Sequence, residues 1–449
     1  MKSTNKWIGT VICFIILFFL AACGDTNNHT NNNNSDTNTN VSDNVEENNS
    51  DDVDEDITIN WMYPWGEERF MEMMGDDIED TFPHVTINVL EGNADHPESI
   101  ENLIAADKIP DIVTTGQLRQ ISVLEEYGLA YDLDDLIEES DFDLERIEPT
   151  IIEYTRNLDP NNEHGLYAIP HSRPTWGLFY DKDVFDTLGE SYPEDGMTWE
   201  EVIELARKLT KEIDGVQYRG LDLDIGISPY TQFSQNSVDP ETNEVLIKES
   251  EAYKRYLQMI KDVVDIPGNY NDDTPLTHWG GELENGNIAM TPIRANWGYL
   301  ENENIDIATY PVWEGYEGIN PEPNGAAWMI TEPGNHKEEI LKIIDYVLSD
   351  EVQMELSKEG DVEGGASVLV NPDIHEVFGE YNDAYADKHL PALFEYEYAV
   401  GPEKRAKYSD DVISSAPEEF IESGKDINEF LRILQEEAEE NVRSQIESE

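Results

Sequence analysis

Several short stretches of this 449-residue chain set flat aromatic rings beside hydrogen-bonding side chains. Tyr63-Pro64-Trp65-Gly66-Glu67 carries two rings, turn residues and an acceptor carboxylate. Thr115 and Gln117 follow the expected strand Asp111-Ile112-Val113. His171 and Arg173 flank Ser172, and Arg294-Ala295-Asn296-Trp297 joins a cation, an amide and an indole. Tyr230, Trp279 and Trp328 add further rings. Such groups hold a small solute, the rings covering C–H faces and the polar groups fixing orientation. Arg173 could clamp a hydroxyl or a carboxylate. Each residue also has a plain packing role open to it. Trp65 could pack under its own loop, Arg173 could form a salt bridge, and Asp111 could serve as a structural cap. Trp176 and Tyr180 share one strand face and Phe179 takes the other, so some of these are core. Trp199 lies on the apolar face of a helix.

Bond-breaking chemistry leaves no comparable trace. The chain has no Gly-x-Ser-x-Gly, no His-Glu-x-x-His and no Gly-Lys-Ser/Thr phosphate loop. Two catalytic carboxylates among 98 acids would escape notice, so a carbohydrate-active enzyme on the cell surface stays an alternative, as does an adhesin or sensor. Asp159-Pro160-Asn161-Asn162-Glu163 lacks the Gly and Glu spacing of a calcium loop and reads as a turn. No metal or cofactor is expected. The formal charge of −70 excludes a nucleic-acid partner, which needs a basic footprint. Acids run along the whole chain. They read as a solvated surface suited to a salty or alkaline exterior, with a cationic ligand as the other reading.

The first residues are a different kind of segment. Lys2 and Lys6 precede an apolar run from Trp7 to Leu20 and then Ala21-Ala22-Cys23. A basic start, a short apolar stretch and small residues make residues 1–22 a secretory leader. The Leu-Ala-Ala-Cys ending resembles a bacterial lipobox, which implies cleavage before Cys23 and a lipid on its sulfur. Two acyl chains anchor stably where one does not. Cys13 and Cys23 are the only cysteines, so the body behind them has no disulfide and no thiolate metal site. Residues 23–56, rich in Asn, Asp, Thr and Ser, cannot bury a core and read as a tether.

The body begins at Ile57, and its length calls for two lobes. Alternation in Ile57-Ile59-Trp61 and Val85-Ile87-Val89 predicts strands, with a helix over 67–82 between them and another over 99–107 after them. A buried strand over 110–114 follows, and this order argues for a mostly parallel sheet. Further on, the sequence predicts a strand through Trp176, Leu178 and Tyr180, and a helix opened by a Thr198–Glu201 capping box. It also predicts a helix over 251–264, strands at 288–290 and 305–310, a long helix over 337–358, and a last helix capped by Asp426 with Glu429.

The punctuation as a whole is similar to the family 1 extracellular solute-binding proteins, relatives of the maltose-binding protein. The resemblance rests on LIAADKIPDIV (103–113), LEEYGLAYDLDDLI (124–137), LYAIPHSRPTWGLFYDKDVF (166–185), MTWEEVIELARKLT (197–210) and NGNIAMTPIRANW (285–297), in that order. It implies a two-lobed α/β fold of the type II periplasmic-binding kind, with mostly parallel central sheets, flanking helices and a ligand cleft between the lobes. The implied division puts lobe 1 at 57–171 and 292–327, and lobe 2 at 172–291 and 328–449. It implies capture of a small solute, a sugar or oligosaccharide, by a monomer without enzymatic activity. Delivery would be to the transmembrane subunits of an ABC permease, from a lipid anchor on the outer face of a Gram-positive cell membrane. Thr115 and Gln117 match the family's contact loop in position, and Trp297 matches its ligand-stacking Trp. At the contact loop the chain reads Thr-Gly-Gln-Leu-Arg, where maltose-binding relatives have an aromatic and an Asp-Arg pair. Trp328 follows Gly325-Ala326-Ala327, small residues expected to let a ligand approach.

Overall fold

A computed structural model describes residues 55–448, apart from 95, 224–225, 227, 272–275, 277–282, 296, 361, 363–364 and 409–415. Residues 1–54, with the leader, Cys23 and most of the tether, lie outside the described residues.

Two sheets organise the body. The first begins with β1 (Ile57–Tyr63), whose alternation buries Ile59, Trp61 and Tyr63. β2 (Val85–Glu91) pairs with it in parallel along its whole length, and β3 (Ile112–Thr115) pairs with its other edge, also in parallel. Ala327–Ile330 then runs antiparallel between β3 and β4 (Ile169–Pro170), closing a five-stranded sheet. The helix expected over 67–82 spans Glu67–Thr81, with a π-helical turn at Met71–Gly75. Asp111 is structural: one carboxylate oxygen accepts from the Asn60 amide at 2.8 Å and the other from the Asn335 amide at 2.8 Å. It thereby ties β1 to the turn beyond Ile330.

The chain leaves this sheet through β5 (Ser172–Arg173) and enters the second at β6 (Trp176–Asp181). Met290–Arg294 and Ile305–Thr309 flank β6, both antiparallel. The first sheet thus mixes parallel pairings at β1 with antiparallel ones at Ala327–Ile330, and the second is antiparallel. Phe179 packs into a small core with Leu283, Ile288, Tyr299 and Leu393, while Trp176, Leu178 and Tyr180 join the main core.

Strand pairing also reverses the expected returns of the chain. Residues 290–309 stay with the second sheet, whereas Ala327–Ile330 goes back to the first. The reason is in the residues. Ala327-Trp328-Met329-Ile330 is apolar throughout and suits a strand covered on both faces, while 305–309 alternates, burying Ile305 and Ile307 and leaving Asp306 half-buried.

The helices follow local signals. Thr198 accepts from the Glu201 amide and Glu201 reaches back, forming the full capping box of Trp199–Leu209. Trp199 is buried on that helix and donates to Gln232 at 3.2 Å. Glu251–Val264 has the expected bounds. The helix expected over 337–358 is instead two, Lys337–Val347 and Asp350–Glu359, because the Ser349 hydroxyl caps a fresh start at Val352. Asp426 accepts from the Asn428 and Glu429 amides, and Leu431, Leu434, Ala438 and Val442 bury the inner stripe of Ile427–Ser448.

Candidate ligand site

Parallel strands point their carboxyl ends to one edge, where ligands of α/β proteins gather. β1 and β3 place Trp65 and Gln117 at that edge. Gly66 turns the chain with φ of 91°, a conformation that favours glycine, and sets Glu67 exposed on the first helical turn. Trp65 stays 42% exposed, its ring edge-on to Tyr63 with centroids 5.2 Å apart. A Cβ on Gly116 would stand 3.8 Å from the Trp65 ring, so the two loops touch and glycine leaves the indole its room. Gln117 is exposed and accepts from Asn324 at 2.9 Å, while Asn324 accepts from the Arg119 amide at 3.0 Å.

Other expected contacts are drawn into the protein. Tyr63 is fully buried against Phe70. Thr115 is buried with its hydroxyl donating to the Ala327 carbonyl at 3.3 Å. Tyr230 packs among Phe233, Tyr253 and Tyr256, and its hydroxyl reaches the Gln235 carbonyl at 3.4 Å. These three serve packing, and side-chain size and polarity gave no sign of it. His171 and Trp328 stack face to face, centroids 4.1 Å apart, beneath the passage between the sheets. Burial lowers His171 to about 3, so it is neutral in ordinary conditions. The small residues before Trp328 serve the chain itself: a Cβ on Gly325 would lie 2.2 Å from the Ser172 carbonyl oxygen. Trp279 and the side chain of Trp297 lie outside the described residues; the Trp297 backbone opens the short helix Trp297–Leu300.

Arg173 and Arg294, 121 residues apart in sequence, both act on one phenol, that of Tyr398. Arg173 pairs with Glu148 at 2.5 Å and lies over the rings of Phe394 (5.2 Å) and Tyr398 (5.5 Å). Arg294 stands opposite Trp176 in the strand register. Burial lowers its guanidinium from the usual value, partly offset by Tyr398. Tyr398 is therefore the meeting point. Burial raises its phenol to about 12 while both guanidiniums act against that rise, and its hydroxyl donates to the Pro174 carbonyl at 2.6 Å.

A second charged group spans distant segments. Glu322 is buried between Arg119 (2.5 Å) and Arg405 (2.8 Å), with the Arg119 Nε donating to the Tyr154 hydroxyl at 3.2 Å. Burial alone would raise the Glu322 carboxyl, but Arg405 and Arg119 outweigh it and hold the group below its usual value. Sequence reading did not single out Tyr398, Glu322 or Arg405. Nothing local marks one acid among 98, or a tyrosine whose neighbours arrive from remote strands. Asp159 behaves as a turn residue, accepting from the amides of Asn161, Glu163 and Gly165. Among the described residues no cluster of His, Cys, Asp and Glu could hold a metal ion, and no helix is long and apolar enough to cross a membrane.

Comparison with known proteins places the arrangement. The bacterial extracellular solute-binding protein family matches residues 63–354. No curated protein matches the sequence closely enough to count as a relative. Among solved structures, the sugar-binding protein MalE of Xanthomonas citri is similar at 17% identity and a TM-score of 0.68, over 87% of this chain and 98% of its own. A sugar transporter of Rhizobium etli in an open conformation shares 20% identity, with a TM-score of 0.65 over 85% and 99% of the two chains. An ABC substrate-binding protein of Listeria monocytogenes, in complex with cycloalternan, shares 18% identity with a TM-score of 0.64 over 87% and 98%. At these identities the likeness shows the fold, which is the two-lobed α/β fold of periplasmic-binding proteins. The family match spans well over half the sequence, and this chain belongs to the bacterial extracellular solute-binding proteins.

Proposed function

We propose that this protein captures a sugar or oligosaccharide outside the cell and hands it to an ABC permease. The observation that carries the reading is the half-exposed Trp65 indole beside Gly116 and Gln117, at the carboxyl ends of two parallel strands. An exposed ring next to fixed polar groups suits a ligand with C–H faces and a rim of hydroxyls. Three solved structures of the same fold, named for a sugar or holding one, support it. Each sheet would form the centre of one lobe, and the solute would favour the state in which they close. In this reading Cys23 carries the lipid anchor and residues 23–56 form the tether, with a single chain acting alone.

A thermal-shift screen of the soluble chain against mono- and oligosaccharides tests the reading. Binding to the folded state raises its stability by about 2.7 kcal/mol at one hundred times Kd. A shift with one sugar class, and contraction of the molecule in small-angle scattering with that sugar, is expected. Absence of a shift with every sugar class would overturn the sugar reading. For the anchor, Cys23→Ser should release the protein into the medium and abolish incorporation of labelled palmitate.

A further inference from the structure

Buried polar atoms in folded proteins nearly always find partners, so a cluster that has none calls for an explanation. Among the described residues, the Oγ of Ser172, Nε of Arg173, Oγ1 of Thr175 and Nε1 of Trp176 and of Trp328 are buried without a hydrogen-bond partner. Four of them sit within five consecutive residues, on the passage from the first sheet to the second. Trp328 lies on the neighbouring strand, across from Ile169.

Their chemistry is one-sided. Indole and guanidinium N–H groups donate and cannot accept, while the two hydroxyls can do either. The unpartnered atoms include no carboxylate oxygen. A neutral sugar's hydroxyls accept as well as donate, so each also brings a donor that this lining can meet only through its two hydroxyls. A carboxylate is acceptor-only and matches a lining of indole and guanidinium donors with two hydroxyls that can also donate. Positive charge is gathered here too, since Arg173 and Arg294 both act on the Tyr398 phenol. Glu148 answers Arg173 through Nη1, leaving its Nε without a partner. His171, stacked on Trp328, is neutral and adds no charge. Buried water would satisfy single donors, but it would not offset the positive charge that both guanidiniums bring to bear on the Tyr398 phenol.

We propose that residues 172–176 with Arg294 and Trp328 receive a solute bearing a carboxylate, a uronate or uronate-containing oligosaccharide, with the guanidiniums on the carboxylate and the indole and hydroxyl groups on its remaining oxygens. This assignment rests on the sugar-binding reading above. The chain's net charge of −70 repels an anion at long range, and salt shortens that reach to a few ångströms near 1 M.

Titration calorimetry on the soluble chain at about 0.5 M NaCl tests it. The probes are gluco-, manno- and galacto-configured disaccharides, each as the neutral sugar, the uronate and the uronate methyl ester. At least one uronate is expected to bind ~10- to 100-fold more tightly than its ester and neutral forms, the range for a charge-assisted hydrogen bond. Arg294→Gln should erase that preference and leave binding of the ester and neutral forms in place. If that variant does not fold, Arg294→Lys, which keeps the charge and loses the fork, should retain part of it. Neutral sugars binding as tightly as uronates would overturn this inference and leave sugar capture standing. Failure of every probe would overturn both.

Discussion

At the scale of the residue, the site depends on a few side chains whose surroundings differ sharply. Trp65 keeps close to half its surface in solvent, so removing its ring should cost the fold little and the ligand much. Trp65→Ala should weaken sugar binding by ~30-fold, about 2 kcal/mol, with the melting temperature nearly unchanged; calorimetry and thermal unfolding read the two effects separately. His171 behaves oppositely. Its folded value of about 3 lies below the unfolded value of about 6.5, so the unfolded chain takes up the proton first. Stability from this group is complete above pH ~6.5 and is lost at about 1.4 kcal/mol per unit as pH falls toward 3. Burial and the Arg173 charge lower His375 to about 4, which adds a second proton with the same sign over part of that range. His171→Phe, which keeps a flat ring against Trp328, should flatten the acid limb of the stability curve by roughly one proton, measured by denaturant unfolding at several pH values. An unaltered slope would show that His171 is not the group responsible.

At the scale of the element, glycines set how closely the passages between the sheets approach. A Cβ on Gly325 would fall 2.2 Å from the Ser172 carbonyl oxygen, and one on Gly365 would fall 2.3 Å from the Arg173 carbonyl oxygen. Both contacts are with backbone, which cannot rotate away. The same passage carries the unpartnered donors, so its position matters twice. Gly325→Ala should destabilise the protein by about 1–3 kcal/mol and weaken solute binding, seen as a lower denaturant midpoint and a higher Kd. Gly128→Ala makes a useful control: nothing lies within 4 Å of its Cβ, but its φ of 64° strains the backbone locally, so stability should fall without loss of binding.

At the scale of the molecule, 98 acids against 28 bases make self-repulsion a standing cost. Salt bridges offset part of it, and the buried Arg119–Glu322–Arg405 group gathers segments from three distant parts of the chain. Raising NaCl from about 0.05 M to about 1 M shortens the screening length from above 10 Å to about 3 Å. The melting temperature should rise over that interval, and calorimetric scans at graded salt would show it. A falling melting temperature would mean that attractive ion pairs outweigh the repulsion.

The residues themselves determined much of this. Period-two alternation predicts β1, β2 and β6, and each forms where Ile, Val and aromatic residues alternate or run together. Thr198 and Asp426 mark helix starts because a side-chain oxygen three residues before an amide is a local arrangement that needs no tertiary partner. Ser349 carried the same signal inside a continuous apolar stripe, and periodicity masked the break. The order of motifs along the chain was enough to place it among solute-binding proteins.

Tertiary structure decided which aromatic rings face solvent and which strand returns to which sheet. Trp65 and Tyr63 sit two residues apart where β1 runs into its loop, with nothing in their types to separate an exposed ring from a buried one. Arg294 stands opposite Trp176, three residues past Arg173, only because antiparallel pairing across β6 brings remote segments side by side. Local sequence fixes backbone preference and the apolar face of each element, because those energies act over a few residues. Side-chain burial and charge pairing depend on contacts between segments a hundred residues apart, and those exist only once the chain has folded.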